Sequence, residues 1–216
     1  MTSEVFCAEF PRLWHTGRAG MWEDARRHGL LSVAALLDDF GITGAARRPY
    51  EAERRATEIE LEGPDGRSAW LRDNKPLVLS KLETLLDGGM TSEEWLLTLN
   101  SRVYFWCRRD RLERFLEAYS GVEQDLLTIS TQRLLAYAGN RVELAHLNTG
   151  ATRSPAPWGG RRGPDTFRPI EVFERPPSKV AEVTVVGRLE RIERIVERVE
   201  RVRGQMVQAT LFEPTP

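Results

Sequence analysis

The sequence predicts an α+β fold, and three observations predict it. Capped amphipathic helical segments crowd the first half of the chain. Runs rich in β-branched and aromatic residues dominate the second half. The two do not alternate as βαβ units would. With 41% apolar and 29% charged residues over 216 positions, the chain has the composition of a globular protein with a core of its own rather than of a disordered one.

The elements follow in order. Pro11 precedes a short strand, Leu13 to His15, and a helix from Met21 to His28 is stopped by Gly29. Ser32 is an N-cap for a second helix with Val33, Leu36 and Leu37 on one face, closed by Gly41. The charged segment from Arg47 to Gly66 ends in a Gly-Pro-Asp-Gly turn. A third helix is expected to start within residues 72–76, capped by Asp73 or Asn74 with Pro76 in its first turn, and to stop at Gly88-Gly89. Thr91 and Glu94 form a capping box for a fourth helix through Leu99. Arg102 to Trp106 is a strand with Val103 and Phe105 on one face and Arg102, Tyr104 and Trp106 on the other. A helix from Asp110 to Tyr119, a strand from Asp125 to Ile129, a short helix to Tyr137 capped by Ser130 or Thr131, and a strand from Arg141 to Leu147 come next. After Asn148 runs a loop rich in glycine and proline, followed by strands at Thr166 to Phe173 and Val180 to Val186. The tail has Leu189, Ile192, Val196 and Val199 at helical spacing with Glu-Arg pairs between them, a salt-bridged solvated face. Its Val199 to Leu211 portion also reads as a closing strand. Residues 1–190 are taken as one domain, and 191–216 as a charged helix or closing strand of the same domain.

Several chemistries are absent from the sequence. It contains no Walker A loop, no GxGxxG, no HExxH and no GxSxG with a triad, and His15, His28 and His146 lack the spacing of a metal-binding helix, so no metal is expected. Cys7 and Cys107 are too few for a disulfide framework, and Cys107 reads as a packed thiol. No run approaches the roughly 18 apolar residues of a membrane span, and the N-terminus lacks a basic stretch leading into an apolar one. A cytoplasmic location without membrane contact is the expectation. A net charge of −1 rules out a chain that binds nucleic acid by bulk charge but leaves room for a local basic patch.

Four places remain to be explained: His15-Thr16, the run from Asn100 to Trp106, the loop after Asn148, and Ala181-Glu182-Val183, where a lone carboxylate stands in an apolar strand. Taken singly, each has a plain structural reading. His15 is a strand-end histidine bonded to backbone, Tyr104 and Trp106 are core aromatics, and Asn100 is a helix C-terminus. Asn148 is a turn residue, Arg102 a surface ion pair, and Glu182 a carboxylate on the wet face of an edge strand.

Taken together and in order, they resemble the DarT-type ADP-ribosyltransferases. "LWHT…HGLLS" resembles that family's first strand, helix and turn. "RVYFWCRRDRL" resembles its aromatic strand and the polar turn after it, and "KVAEVTVV" the strand that carries its catalytic glutamate. The chain is also similar to an uncharacterised bacterial family through Leu99 to Trp106, Asn148 to Gly150 and Arg162 to Phe167. The resemblance covers about residues 13 to 190 in short motifs. It implies an ADP-ribosyltransferase-like split β-sheet core and NAD as substrate. Glu182 would stabilise an oxocarbenium-like transition state. His15 and Thr16 would contact the NAD ribose, with Asn100 nearby, Tyr104 would pack the nicotinamide, and Arg72 or Arg102 would meet the phosphates. The loop with Asn148, Arg153, Trp158, Arg161 and Arg162 would choose the acceptor. Its basic excess suits single-stranded DNA or RNA, and equally describes a solvated loop. An antitoxin-like protein partner is a further implication. The Cys-Arg-Arg-Asp-Arg-Leu turn and the segment from Gly44 to Arg72 depart from the family pattern. Two alternatives accompany the transferase reading: an inactive binding or regulatory domain on the same scaffold, and an NAD-using RNA 2′-phosphotransferase.

Overall fold

Residues 1–153 and 160–214 are described by the computed structural model. Two four-stranded antiparallel sheets form the core. The first has the order β1 (Arg12–Arg18), β6 (Glu123–Ser130), β11 (Val196–Arg203), β12 (Met206–Phe212). The second has the order β5 (Arg102–Phe105), β9 (Glu182–Val186), β7 (Val142–Ala145), β8 (Arg168–Pro169). Short pairs β2 (Leu30–Leu31) with β10 (Arg188–Leu189), and β3 (Ile59–Glu62) with β4 (Ser68–Leu71), complete the strands among the described residues. The helices are α1 (Ser3–Glu9), α2 (Met21–His28), α3 (Val33–Asp39), α4 (Arg48–Glu51), α5 (Leu79–Leu85), α6 (Ser92–Asn100), α7 (Arg109–Ala118) and α8 (Thr131–Ala138). The architecture is α+β, and no helix among the described residues is long and apolar enough to cross a membrane.

The inner faces of both sheets share one core. Leu13, Leu127, Ile129, Val196 and Val199 of the first sheet meet Val103, Phe105, Val183 and Val185 of the second, closed by Phe6, Phe10 and Trp22 from α1, the turn after it and α2. A second cluster seats α6 on the other sheet through Trp95, Leu96 and Leu99 against Phe167 and Ala145. A third holds the β3–β4 hairpin onto α3 through Leu36, Leu37, Phe40, Leu61 and Leu71.

Caps explain where several helices start. Ser32 accepts from Ala35 N, Ser130 from Arg133 N, and Thr91 with Glu94 forms a complete capping box. The third helix starts later than the sequence implies, at Leu79, because Asp73 and Asn74 are engaged elsewhere. Asp73 accepts from Lys75 N and the Tyr119 hydroxyl, and Asn74 accepts from Arg55 N. The expected strand at Thr166 to Phe173 shrinks to Arg168–Pro169, since Pro169 has no N–H for a ladder and a 3-10 turn at Ile170–Val172 follows. β7 is likewise shorter than expected, and the β3–β4 hairpin and α1 carry no signal that the sequence reading used.

The tail is a strand hairpin, not a helix. Its valines recur every third residue, a spacing between the strand period of two and the helical 3.6. Register shifts between Val196 and Arg198, Val199 and Glu200, and Arg201 and Val202 absorb the mismatch. Each bulge re-phases β11, so Val196, Val199 and Val202 all point inward with at most 1% exposure.

Candidate functional site

The two sheets touch edge to edge at one rung. Trp14 of β1 and Trp106, just past β5, exchange both backbone hydrogen bonds at 2.9 and 2.8 Å. The next rung of a continuous antiparallel ladder would pair Thr16 with Tyr104. Instead the His15 side chain intervenes, its Nδ1–H donating to the Tyr104 carbonyl at 2.8 Å. The imidazole satisfies a carbonyl that the ladder would otherwise claim, and the sheets splay. Beyond it lies a cleft of about 660 Å³, walled by β1 and β5 and by the β3–β4 hairpin.

His15, Thr16, Arg72, Asn100, Arg102, Tyr104, Asn148 and Glu182 all line this cleft. β1 runs on to Arg18, so His15 and Thr16 lie within a strand rather than at its end. Glu182 stands on β9, which is flanked by β5 and β7, so it belongs to an interior strand and not to a wet edge. Its Oε2 accepts from Thr149 N at 3.2 Å and from Thr149 Oγ1 at 2.6 Å. Burial raises its pKa to about 7, against the pull of the Thr149 hydrogen bonds and of Arg111 and Arg162. The carboxyl therefore changes charge near neutrality, as a group poised for acid–base or electrostatic work does.

The neighbours of Glu182 leave polar atoms unpaired. The Tyr104 hydroxyl is buried beside Thr149 and Glu182 without a well-formed hydrogen bond, and its acidity is suppressed by burial and then by the Glu182 charge. The Tyr104 ring makes a T-shaped contact with Phe167. His15 is held neutral, with a pKa lowered to about 4 by burial and by the Arg72 charge. With Nδ1 carrying the proton, Nε2 is an acceptor with no protein partner among the described residues.

The arginines separate by what they already hold. Arg102 binds Glu143 at 2.8 Å, donates to the Thr98 carbonyl, and lies over the Phe167 ring at 4.2 Å. Arg72 lies against the rings of both Phe115 and Tyr119, at 4.6 and 4.8 Å from their centroids, and donates a hydrogen bond to Gln124 Oε1 at 3.1 Å. Its Nη1 is buried and unpartnered, as is Gln124 Nε2. Thr16 Oγ1 donates to the same Gln124 oxygen at 2.6 Å. Unpaired buried donors are costly unless a ligand uses them. Arg72 is therefore the arginine with capacity left for an anion.

Other expected residues sit differently. Asn100 holds α6 to the segment before the hairpin, donating to the Glu51 and Leu96 carbonyls and accepting from Arg55. Arg162 is 2% exposed and spends its guanidinium on the carbonyls of Asn148, Thr149, Ala151 and Gly160. It shapes the loop that presents Thr149, so it is a frame for the site and not a surface cation. Arg161 pairs with Asp87 at the surface, Arg153 is exposed away from the cleft lining, and Trp158 lies outside the described residues. Thr149 and Gln124, which the sequence reading did not single out, are the direct partners of Glu182 and Arg72. The Asn-Thr-Gly triplet was the only available signal for Thr149. Among the described residues, no group of three or more His, Cys, Asp or Glu side chains is placed to hold a metal ion.

No curated protein and no solved structure matches this chain. One family model does, over residues 11–196, a span that contains every cleft residue from His15 to Glu182. The chain belongs to that family, the family of unknown function DUF7002.

Proposed function

We propose that the cleft is the active site of an NAD-dependent ADP-ribosyltransferase of the DarT-like kind, with a nucleic acid as acceptor. The observation that carries this reading is Glu182. It is one carboxylate, oriented by two hydrogen bonds from Thr149, in a cleft opened between two sheets that are joined at one rung. The splayed pair of sheets, with this glutamate on an inner strand, supports the split-sheet likeness that the short motifs carry.

Breaking the bond between nicotinamide and ribose moves the bonding electron pair onto nicotinamide and develops positive charge on the ribose. Glu182 in its carboxylate form faces that charge and holds a ribose hydroxyl, so its stabilisation grows as the bond breaks. The same carboxylate takes the proton that the attacking acceptor hydroxyl or amine loses. His15 Nε2 accepts from a ribose hydroxyl, and the Tyr104 hydroxyl donates to the carboxamide end of the substrate. Arg72 Nη1 donates to a phosphate oxygen, which satisfies that buried donor. The set suits a dinucleotide: the Glu182 carboxylate, the Tyr104 hydroxyl, the His15 imidazole and the Arg72 cation all line one cleft.

The test is nicotinamide release from NAD by the wild type and by Glu182→Gln, with and without single-stranded DNA, RNA or cell lysate. Release that falls at least roughly hundred-fold in the variant is the expected result for removing an electrostatic stabiliser of this kind. The additive that accelerates release names the acceptor class. No release under any condition, with no NAD-induced rise in melting temperature, would sink the reading and leave a binding domain.

A further inference from the structure

The hairpin β3–β4 is the part of the cleft wall that the motif resemblance does not cover. Its two faces differ. Ala69 and Leu71 point into the cluster with Leu36, Leu37, Phe40 and Leu61. Ser68 and Trp70 alternate to the other side, and the chain continues along it to Arg72. Trp70 is 40% exposed, an uncommon state for so large a ring within a cleft wall. The Arg18 guanidinium lies over it, its Cζ 3.8 Å from the ring centroid. Glu58 holds that guanidinium in place, accepting from Arg18 Nε at 2.9 Å and from Nη2 at 2.6 Å. The hairpin itself is held in place. A Cβ on Gly63 would fall 2.8 Å from the Phe40 ring, and Arg67 ties the turn to Asp24 at 2.7 Å and to Asp39 at 3.5 Å. The result is a preorganised platform of indole and guanidinium in the same cleft as the unpartnered Arg72 Nη1.

We propose that Trp70 and Arg18 form a base-stacking subsite, and that Arg72 holds the phosphate attached to that base. The ligand class is a nucleotide, for which adenine serves as the test base. Stacking on an aromatic–guanidinium surface accepts any planar base, and the neighbouring donors demand an anionic group beside it. The nucleotide has two possible sources, the adenylate half of a dinucleotide and a nucleotide unit of an acceptor strand. This proposal rests on reading the cleft as a nucleotide site, and it does not require the chemistry assigned to Glu182.

The test is calorimetric titration of wild type, Trp70→Ala and Trp70→Phe with AMP, ADP-ribose, nicotinamide mononucleotide, and short single-stranded DNA and RNA. Trp70 lies outside the buried clusters, and far-UV circular dichroism checks that the variants fold. AMP and ADP-ribose are expected to bind roughly ten- to hundred-fold more weakly to Trp70→Ala. Trp70→Phe should recover most of that loss, and nicotinamide mononucleotide should be unchanged. A loss of that size confined to the oligonucleotides also supports the subsite and assigns the base to the acceptor strand. Equal affinities across the three proteins for every ligand would overturn the stacking subsite and leave the transferase reading standing. A wild type that binds none of the five would overturn both.

Discussion

Glu182 and His15 are displaced from their ordinary pKa values in opposite senses for a shared reason, loss of water around the charged form. The Glu182 pKa rises from 4.5 to about 7, so the folded state holds a proton that the unfolded chain releases. Its contribution to stability is present below pH 4.5 and is lost as the pH climbs through about 7. The His15 pKa falls from 6.5 to about 4, so its contribution is present above pH 6.5 and is lost as the pH drops through about 4. Between these limits the two slopes oppose each other. Urea titrations of the wild type should therefore show little net pH dependence from this pair between pH 5 and 6.5. Glu182→Gln should expose the His15 slope, with stability rising over that range, and should be more stable than wild type at pH 8 by on the order of 2 kcal/mol. Turnover should show the complement: a rate that increases through about pH 7 as Glu182 ionises, with that limb absent from the residual activity of the Gln variant. Residue identity was legible in the sequence where chemistry breaks a pattern, as with a lone carboxylate in KVAEVTVV. Partners were not. Thr149 reaches Glu182 across 33 positions, and Gln124 reaches Thr16 across 108. Beyond the Asn-Thr-Gly turn at Thr149, nothing local marks either residue as polar for a purpose.

Elements are joined at a few residues whose roles differ from their neighbours'. Asp125 on β6 is fully buried; one oxygen accepts from Gly20 N and Trp22 N at the start of α2, and the other from Arg201 on β11 at 2.7 Å. Asp125→Ala removes the cap and strands a cation, and should cost about 3 kcal/mol in chemical denaturation. Gly29 ends α2 at φ 89 and ψ 166, where an added Cβ would lie 2.7 Å from the Leu189 carbonyl oxygen. Gly29→Ala should destabilise by about 2 kcal/mol or more by the same measurement. At this scale, helices with side-chain caps were readable because a cap is a local hydrogen bond. Ser32, Thr91 and Ser130 each serve the amide three residues on. The start of α5 was misread because Asp73 and Asn74 are good caps by composition but are claimed by Tyr119 and Arg55 from a distance. For β11 the sequence left helix and closing strand both open, because three-residue spacing becomes a strand pattern only with bulges, and those depend on both of its neighbours.

At the scale of the molecule, the cleft is a gap between two sheets that a common core holds together. A ligand that fits it binds the folded chain alone, so ADP-ribose at about a hundred times its Kd should add about 2.7 kcal/mol to stability. A thermal-shift titration reads this as a rise of several degrees, absent with inorganic phosphate at the same concentration. Nucleic-acid binding should weaken steeply with salt if the acceptor is a strand, although the net charge is only −1, because local cations and not the total set the slope. The helix-rich first half and strand-rich second half gave away the α+β class. The pairing of β1 with β6 and of β5 with β9 was beyond the sequence, since each joins segments some eighty or more residues apart and depends on which edges the core leaves open.

The imidazole between Trp14 and Tyr104 has one more implication. A β-sheet gains a hydrogen bond for each rung it closes, so the gap beside β1 persists against a standing tendency to zip. His15 blocks that tendency by occupying the Tyr104 carbonyl. In His15→Ala the Thr16 amide is free to take the vacated acceptor and draw β1 and β5 together. Such a variant would show slower amide exchange at Thr16, undiminished stability and no capacity for ligand. Openness would then be a property held by one side chain against the fold's own bonding preference, and tighter folding would mean an emptier function.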